Sequence, residues 1–217
     1  MPKISHSIAL SPTPLPYEDA LDHIWCSLIK YGAKGAGEYE LTWLAPNDEE
    51  IKEVASKTGL SRDRMPKITE SNSLYNRMTL PMWIDKHEVL ISVDYRYDYV
   101  DYELIFMGNT LISPGTAWLT GVMGELVATL NVDCVLLKEA GEEERKIYQR
   151  RRTGESLLDI ILERLRGNSD LGYPSIAILK DEKVDPAFWE LASNTDCRIS
   201  VARGDLVVFS CIPDPTV

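Results

Sequence analysis

Tyrosines and acidic residues are concentrated in one ten-residue segment, from Asp94 to Glu103, which holds four of each. Carboxylates this close can bind a cation or exchange protons, but cation-binding loops usually carry glycine or asparagine between the acids, and this segment has neither. Tyrosine offers a large, stiff contact area and is enriched at protein interfaces. The segment therefore predicts a partner-binding surface made of Asp94, Tyr95, Tyr97, Asp98, Tyr99, Asp101, Tyr102 and Glu103. The alternative is a twisted hairpin with half-buried tyrosines and solvated acids.

A second candidate site precedes a helix predicted at 116–130 and consists of Ser113, Gly115 and Thr116. Free backbone N–H groups at the start of a helix can bind a phosphate or a carboxylate, so these residues suggest an anion-binding pocket. The chain has neither a GxGxxG nor a GxxxxGK[ST] motif, which argues against a recognised nucleotide site. Ser113 as the helix cap, with Pro114 at the first helical position, explains the same residues without a ligand.

Other residues that carry chemistry are few and scattered. Three histidines and four widely spaced cysteines give no zinc-binding spacing and no CxxC pair. His87 lies near Asp85, but the chain has no GxSxG nucleophile motif, so no catalytic residue, metal or cofactor is predicted. The run of three arginines at 150–152 spreads over about 200° of a helix, so it predicts a solvated helix end rather than one anion clamp.

The composition is typical of a globular protein, with 217 residues of which 44% are hydrophobic and 26% charged. This length predicts a single domain, 1–217, with a small N-terminal subdomain at 1–81 as the alternative. The formal net charge of −11 disfavours nucleic acid or an anionic membrane and suits a basic protein partner. No apolar run approaches the roughly 20 residues of a membrane span, and no secretory signal is recognised. Scattered cysteines with apolar neighbours predict reduced thiols and a cytoplasmic location.

Hydrophobic periodicity predicts the elements that must position these residues. Four proline residues among the first sixteen predict an extended arm or an edge strand. Asn47 with Glu50 has the spacing of a capping box and predicts a helix to Lys57. Other predicted helices cover 17–30, 116–130, 142–152, 157–166 and 185–191. Predicted strands cover 39–44, 89–99, 100–106, 132–137 and 175–179.

Two strands meeting near 97–100, a βαβ unit at about 102–137 and a C-terminal β-hairpin at 197–212 follow from this order. The predicted fold class is therefore α/β or α+β, with a mixed β-sheet and flanking helices. The predicted core contains Leu21, Ile24, Trp25, Val93, Trp118, Val122, Leu126, Val135, Leu137, Ile161, Ile178 and Val208.

Two functions stay open at this level. The first is a non-catalytic cytosolic module whose acidic, tyrosine-rich face binds a basic protein, as a bacterial immunity-like inhibitor or an assembly or adaptor subunit would. The second is a small cytosolic α/β enzyme with an anion-binding pocket at the start of the 116–130 helix. A deep cleft with convergent polar groups would favour the enzyme, and a flat acidic surface with exposed tyrosines would favour the binding module.

Overall fold

The structure is a computed structural model that describes residues 4–35, 40–43, 52–55, 77–84, 87–95, 100–107, 117–185, 198–202 and 205–210. The helices are α1 (Tyr17–Lys30), α2 (Ala117–Leu130), α3 (Glu142–Arg152) and α4 (Leu157–Leu165), with a 3-10 turn at Asp181–Lys183. The strands are β1 (Ile4–Leu10), β2 (Lys34–Gly35), β3 (Glu40–Trp43), β4 (Lys52–Ala55), β5 (Arg77–Ile84), β6 (His87–Tyr95), β7 (Val100–Met107), β8 (Cys134–Glu139), β9 (Ile176–Lys180), β10 (Arg198–Ala202) and β11 (Leu206–Ser210).

The strands form one sheet in the order β10-β11-β9-β8-β1-β7-β6-β5-β3-β4, and β2 pairs with β5. The predicted α+β class is confirmed. The pairings between described strands are antiparallel, so the mixed sheet that was expected is not found among them. Strands β7 and β8 run in the same direction, because each is antiparallel to β1, which lies between them. Helix α2 therefore connects two parallel strands that are separated by a third.

Strand β1 occupies the centre of the sheet, so the prediction of an N-terminal arm or edge strand is wrong. Residues 6–10 pair with β8, and residues 4–9 pair with β7. Proline lacks a backbone N–H and disfavours a central strand. Within the described residues, however, Pro12, Pro14 and Pro16 all follow the last residue of β1. The strand itself can therefore donate hydrogen bonds on both sides.

The prediction of a helix at 47–57 is also wrong for the residues of this range that the structure describes. Lys52–Ala55 is strand β4, which pairs with β3 so that Leu41 lies opposite Val54. A capping box is a local signal, and local propensity is readily overridden by pairing with a neighbouring strand. The helix predicted at 185–191 lies outside the described residues.

Most of the remaining predicted elements are confirmed within one or two residues at each end. The strand predicted at 89–99 is observed as His87–Tyr95, and residues 96–99, where it was predicted to meet the next strand, lie outside the described residues. Helix α1 is followed by Gly32, whose φ of 89° turns the chain so that the N–H of Ala33 reaches the carbonyl of Leu28 at 3.0 Å. The predicted C-terminal hairpin is confirmed, with Ala202 of β10 opposite Leu206 of β11. In the described ranges, no helix is both long and apolar enough to cross a membrane.

Hydrophobic side chains are buried on both faces of the sheet. Helices α1 and α2 cover one face, while the buried residues of α3 and α4 belong to the cluster on the other face. Of the twelve predicted core residues, eleven are buried. The twelfth, Trp118, is half-buried and packs on Phe106 with the ring centroids 5.9 Å apart.

Two glycines of α2 are expected to respond oppositely to alanine. A Cβ on Gly121 would lie 2.7 Å from the Tyr31 hydroxyl oxygen, whereas one on Gly124 would lie 3.9 Å from Leu206 Cδ1, an ordinary contact. We expect Gly124→Ala to raise the free energy of unfolding by about 0.5–1 kcal/mol through helix propensity. Gly121→Ala should lower it by about 1–2 kcal/mol because Tyr31 must move. Urea unfolding of both variants provides the measurement, and equal stabilities would contradict the close packing of α1 on α2.

Candidate partner-binding site

Helix α3 packs on the sheet through a face that is polar for most of its length. Ile147 is its buried apolar residue, and Arg151 lies on the same face because it follows four residues later. The acids of this helix come first and its bases last, which is the arrangement that the helix dipole favours. A helix with so little apolar surface must be held to the sheet by charged groups as well.

A small depression between β7 and α3 is called here the β7–α3 cleft. It is lined by residues 101–103 of β7, Lys138 of β8, and Ile147, Tyr148 and Arg151 of α3. The Arg151 guanidinium donates to the carboxylate of Asp101, and both side chains are largely buried. Lys138 Nζ lies 2.8 Å from Glu103 Oε1 and 4.0 Å from Glu144 Oε1. Each lining carboxylate is thus held by a cation, so the walls of the cleft are fixed in place.

The β7 residues of the cleft belong to the acidic tyrosine segment, Asp94–Glu103, and pair with its β6 part. Asp101 lies opposite Asp94, and Arg77 lies on the other side of Asp94 in strand β5. Like charges directly opposite each other destabilise a strand pair. Arg151 offsets this repulsion from the helix side, because it neutralises Asp101.

The predicted partner-binding residues fall into three groups. Asp101 and Tyr102 are buried in the monomer, Tyr102 within the core under α1 and α2, so we correct their assignment to an exposed face. Glu103 is half-buried at the cleft. The side chains of Asp94 and Tyr95, and all of Tyr97, Asp98 and Tyr99, lie outside the described residues. Strand alternation explains the first group, because Asp101 and Tyr102 point to opposite, covered faces of a central strand.

The arginine run at 150–152 was expected to be solvated, and the structure corrects this for two of its members. Arg151 pairs with Asp101, and Arg150 pairs with Glu155 and Glu163. Gly154, with a φ of 93°, ends α3 and turns the chain so that the Glu155 carboxylate lies 2.7 Å from Arg150 Nε. The prediction that the run forms no single clamp is confirmed, since the two arginines have different partners.

The residues that the sequence analysis missed are Lys138, Tyr148 and Arg151. Tyr148 is 41% exposed beside the cleft, which makes it a prominent aromatic side chain of this surface. The spacing of Arg151 from Ile147 could have placed both on the inner face of α3. No comparable signal existed for Lys138, because its partner Glu103 is on a strand that is distant in sequence.

Among the described residues that line the cleft, there is no histidine, cysteine or serine. Among the described residues, no group of three or more His, Cys, Asp or Glu side chains could hold a metal ion. Burial raises the pKa of the Cys134 thiol to about 12, so this cysteine is protonated and unreactive. Cys26 is exposed, while Cys197 and Cys211 lie outside the described residues. So do Ser113, Gly115 and Thr116 of the alternative anion site.

Comparisons with known proteins identify no family. No family model matches the chain, and no curated protein matches it. Among solved structures, it is similar to Pseudomonas aeruginosa T6SS protein PA0821, with 11% sequence identity and a TM-score of 0.39. The match covers 95% of this chain and 65% of that one, so this chain spans less than two thirds of its neighbour. A likeness this weak carries no conclusion about function.

Proposed function

We propose that this protein is a non-catalytic binding module that holds a basic protein partner at the acidic tyrosine segment and the adjoining β7–α3 cleft. The observation that carries the proposal is the exposure of Tyr148 beside a cleft whose charged walls are fixed by ion pairs. An exposed aromatic side chain on a rigid surface loses little conformational entropy when it is buried by a partner.

Charge supports the same function. The net charge of −11 raises the rate at which a basic partner arrives, in a salt-dependent way. Glu103, Glu144 and Glu142 keep part of their carboxylate surface exposed on β7 and α3. An inhibitor of immunity type, or an assembly or adaptor subunit, would bind a basic partner in this way without catalysing a reaction. The scattered cysteines, among which Cys134 is a buried thiol, support the cytoplasm as the location.

The residue types that line the cleft favour binding over catalysis. Its described lining includes no histidine, cysteine or serine, and the carboxylates of Asp101 and Glu103 are both engaged with cations. A general acid or base needs a carboxylate or imidazole that is available to a substrate. The cleft residues therefore support a binding surface instead of reacting.

Truncation of an aromatic anchor should weaken the complex strongly. The partner is first recovered by co-purification from the native host and identified by mass spectrometry, and binding is then measured with purified components. We expect Tyr148→Ala or Tyr97→Ala to raise the Kd about 30-fold, which corresponds to the 2 kcal/mol typical of a hot spot. Tyr173→Ala is the matched control, because Tyr173 is similarly exposed at 44% but does not line the cleft. Equal effects of Tyr148→Ala and Tyr173→Ala would contradict the proposed surface.

Neutralising a steering charge should act on the rate of association instead. We expect Asp98→Asn to lower the on-rate and to reduce its dependence on salt, with little effect on the off-rate. Asp205→Asn makes the same charge change at an exposed position beside β11, four strands away from β7. An on-rate that is independent of salt, or equally reduced by Asp205→Asn, would rule out steering by the acidic segment.

A further inference from the structure

Trp83 lies on a part of the sheet face that the described helices do not bury. In β5, Leu80, Met82 and Ile84 belong to the core cluster under α1 and α2, so Trp83 points to the opposite face. The buried strand residues of the α3–α4 cluster lie on β1, β8, β9 and β11, and none of its described members lies on β2, β5 or β6. Trp83 is therefore 40% exposed, although tryptophan is a residue that proteins usually bury to a large extent.

Strand register places a cation and an anion on the two sides of Trp83. Lys34 of β2 lies opposite Trp83 on one side, and Glu88 of β6 lies opposite it on the other. Residues directly opposite each other in adjacent strands share a face, so these three side chains form one row across strands about 4.8 Å apart. Lys34 is exposed and Glu88 is half-buried, and neither forms an ion pair with another described residue.

Apolar side chains extend this row along the strands. Pro81 and Leu90 lie opposite each other, two residues away from Trp83 and Glu88 and therefore on the same face. Met107 of β7 lies opposite Glu88, and all three apolar side chains are half-buried. An exposed apolar patch with charged neighbours is typical of an interaction site, and tryptophan is enriched at interface hot spots. The Trp83 surface consists of Lys34, Pro81, Trp83, Glu88, Leu90 and Met107.

We propose that the Trp83 surface binds a second copy of this chain in a two-fold symmetric dimer. The charges around Trp83 favour this occupant, because a cation and an anion on its two sides make the surface complementary to itself. With a two-fold axis parallel to β5 and passing between the two Trp83 side chains, Lys34 of each copy faces Glu88 of the other. The two sheets then pack face to face with their strands aligned, which is a common arrangement.

The net charge of −11 on each copy opposes association, but salt limits this effect. At about 0.15 M salt the Debye length is about 8 Å, so charges that are farther apart than this are largely screened. Lys34 and Glu88 lie in the contact itself and are screened less. The Trp83 surface includes no residue that lines the β7–α3 cleft, so the dimer and the binding of a basic partner can be tested separately.

Sedimentation equilibrium of the full chain, from about 1 μM to about 1 mM in about 0.15 M salt, tests the dimer. We expect a monomer–dimer equilibrium within this range. Trp83→Ala should raise the dimer Kd about 30-fold, which is the effect typical of a hot spot. Tyr173→Ala truncates a similarly exposed aromatic side chain, at 44%, outside the Trp83 surface and should leave the Kd unchanged.

Charge reversal keeps the test decisive if Trp83→Ala does not fold. Lys34→Glu alone and Glu88→Lys alone each place like charges opposite each other, and each should raise the Kd about tenfold. The double variant restores opposite charges across the two-fold axis, so its Kd should return to within about threefold of the wild-type value. Far-UV circular dichroism checks that each variant is folded.

A wild-type chain that stays monomeric up to about 1 mM would overturn the proposal. So would a dimer that Trp83→Ala leaves unchanged, or a double variant that associates no more tightly than the single charge reversals. If the wild-type chain is monomeric and Trp83→Ala weakens binding of the basic partner, the Trp83 surface belongs to that partner and not to a second copy.

Discussion

Replacement of Arg164 by alanine should lower the free energy of unfolding by about 3–5 kcal/mol, the cost of breaking a buried ion pair. Its guanidinium is buried and is shared between the Glu143 carboxylate and the carbonyl groups of Gly172 and Tyr173. Alanine leaves the carboxylate without this cation and the carbonyls without this donor, and water cannot readily replace them. Urea unfolding at neutral pH, followed by far-UV circular dichroism, gives the free energy directly.

Arg166→Ala is the matched control for this variant, because Arg166 is exposed at the end of the same helix. We expect a change within about 0.5 kcal/mol for this surface substitution. Replacing both Arg164 and Glu143 by apolar residues, as in Arg164→Met with Glu143→Leu, should recover part of the loss, since neither charge is then left unpaired. A loss below about 1 kcal/mol for Arg164→Ala would show that the loop at 171–173 does not depend on the guanidinium.

Leu126→Ala should lower the free energy of unfolding by about 2–5 kcal/mol. Leu126 is completely buried in α2, in the cluster that α1 and the sheet enclose. Alanine has a higher helix propensity than leucine. A loss of stability must therefore come from the cavity and the lost apolar burial, and not from helix propensity. Thermal and urea unfolding of the variant, with matched m-values, measure this cost.

Ile29→Ala provides the comparison for Leu126→Ala. Ile29 is an apolar residue of α1 that is 45% exposed, so its truncation opens no enclosed cavity. We expect it to change the stability by at most about 0.5 kcal/mol. If Leu126→Ala costs no more than that, the side chain lies outside the core and the assignment of the inner face of α2 is wrong.

Local pattern in the sequence determined the helices and the hairpins. Residues three and four apart share a helix face, so apolar spacing located α1, α2 and α4, and the order of charges located α3. The helix stop at Gly32 and the register at 202–206 also depend on a few neighbouring residues. In each case the contacts that decide the structure lie within one turn or one loop of the chain.

Tertiary structure alone decided the position of each strand in the sheet and the partner of each buried charge. The side-chain pattern of β1 is compatible with an edge position or a central position in the sheet. Only its pairing with both β7 and β8 makes the strand central. Asp101 meets Arg151 fifty residues later in the chain, so an arginine expected in solvent became part of the cleft wall. Lys138 likewise meets Glu103 across an intervening strand. The physical reason is that a charged side chain is solvated unless a distant segment brings it an opposite charge, and no local pattern encodes which segment arrives.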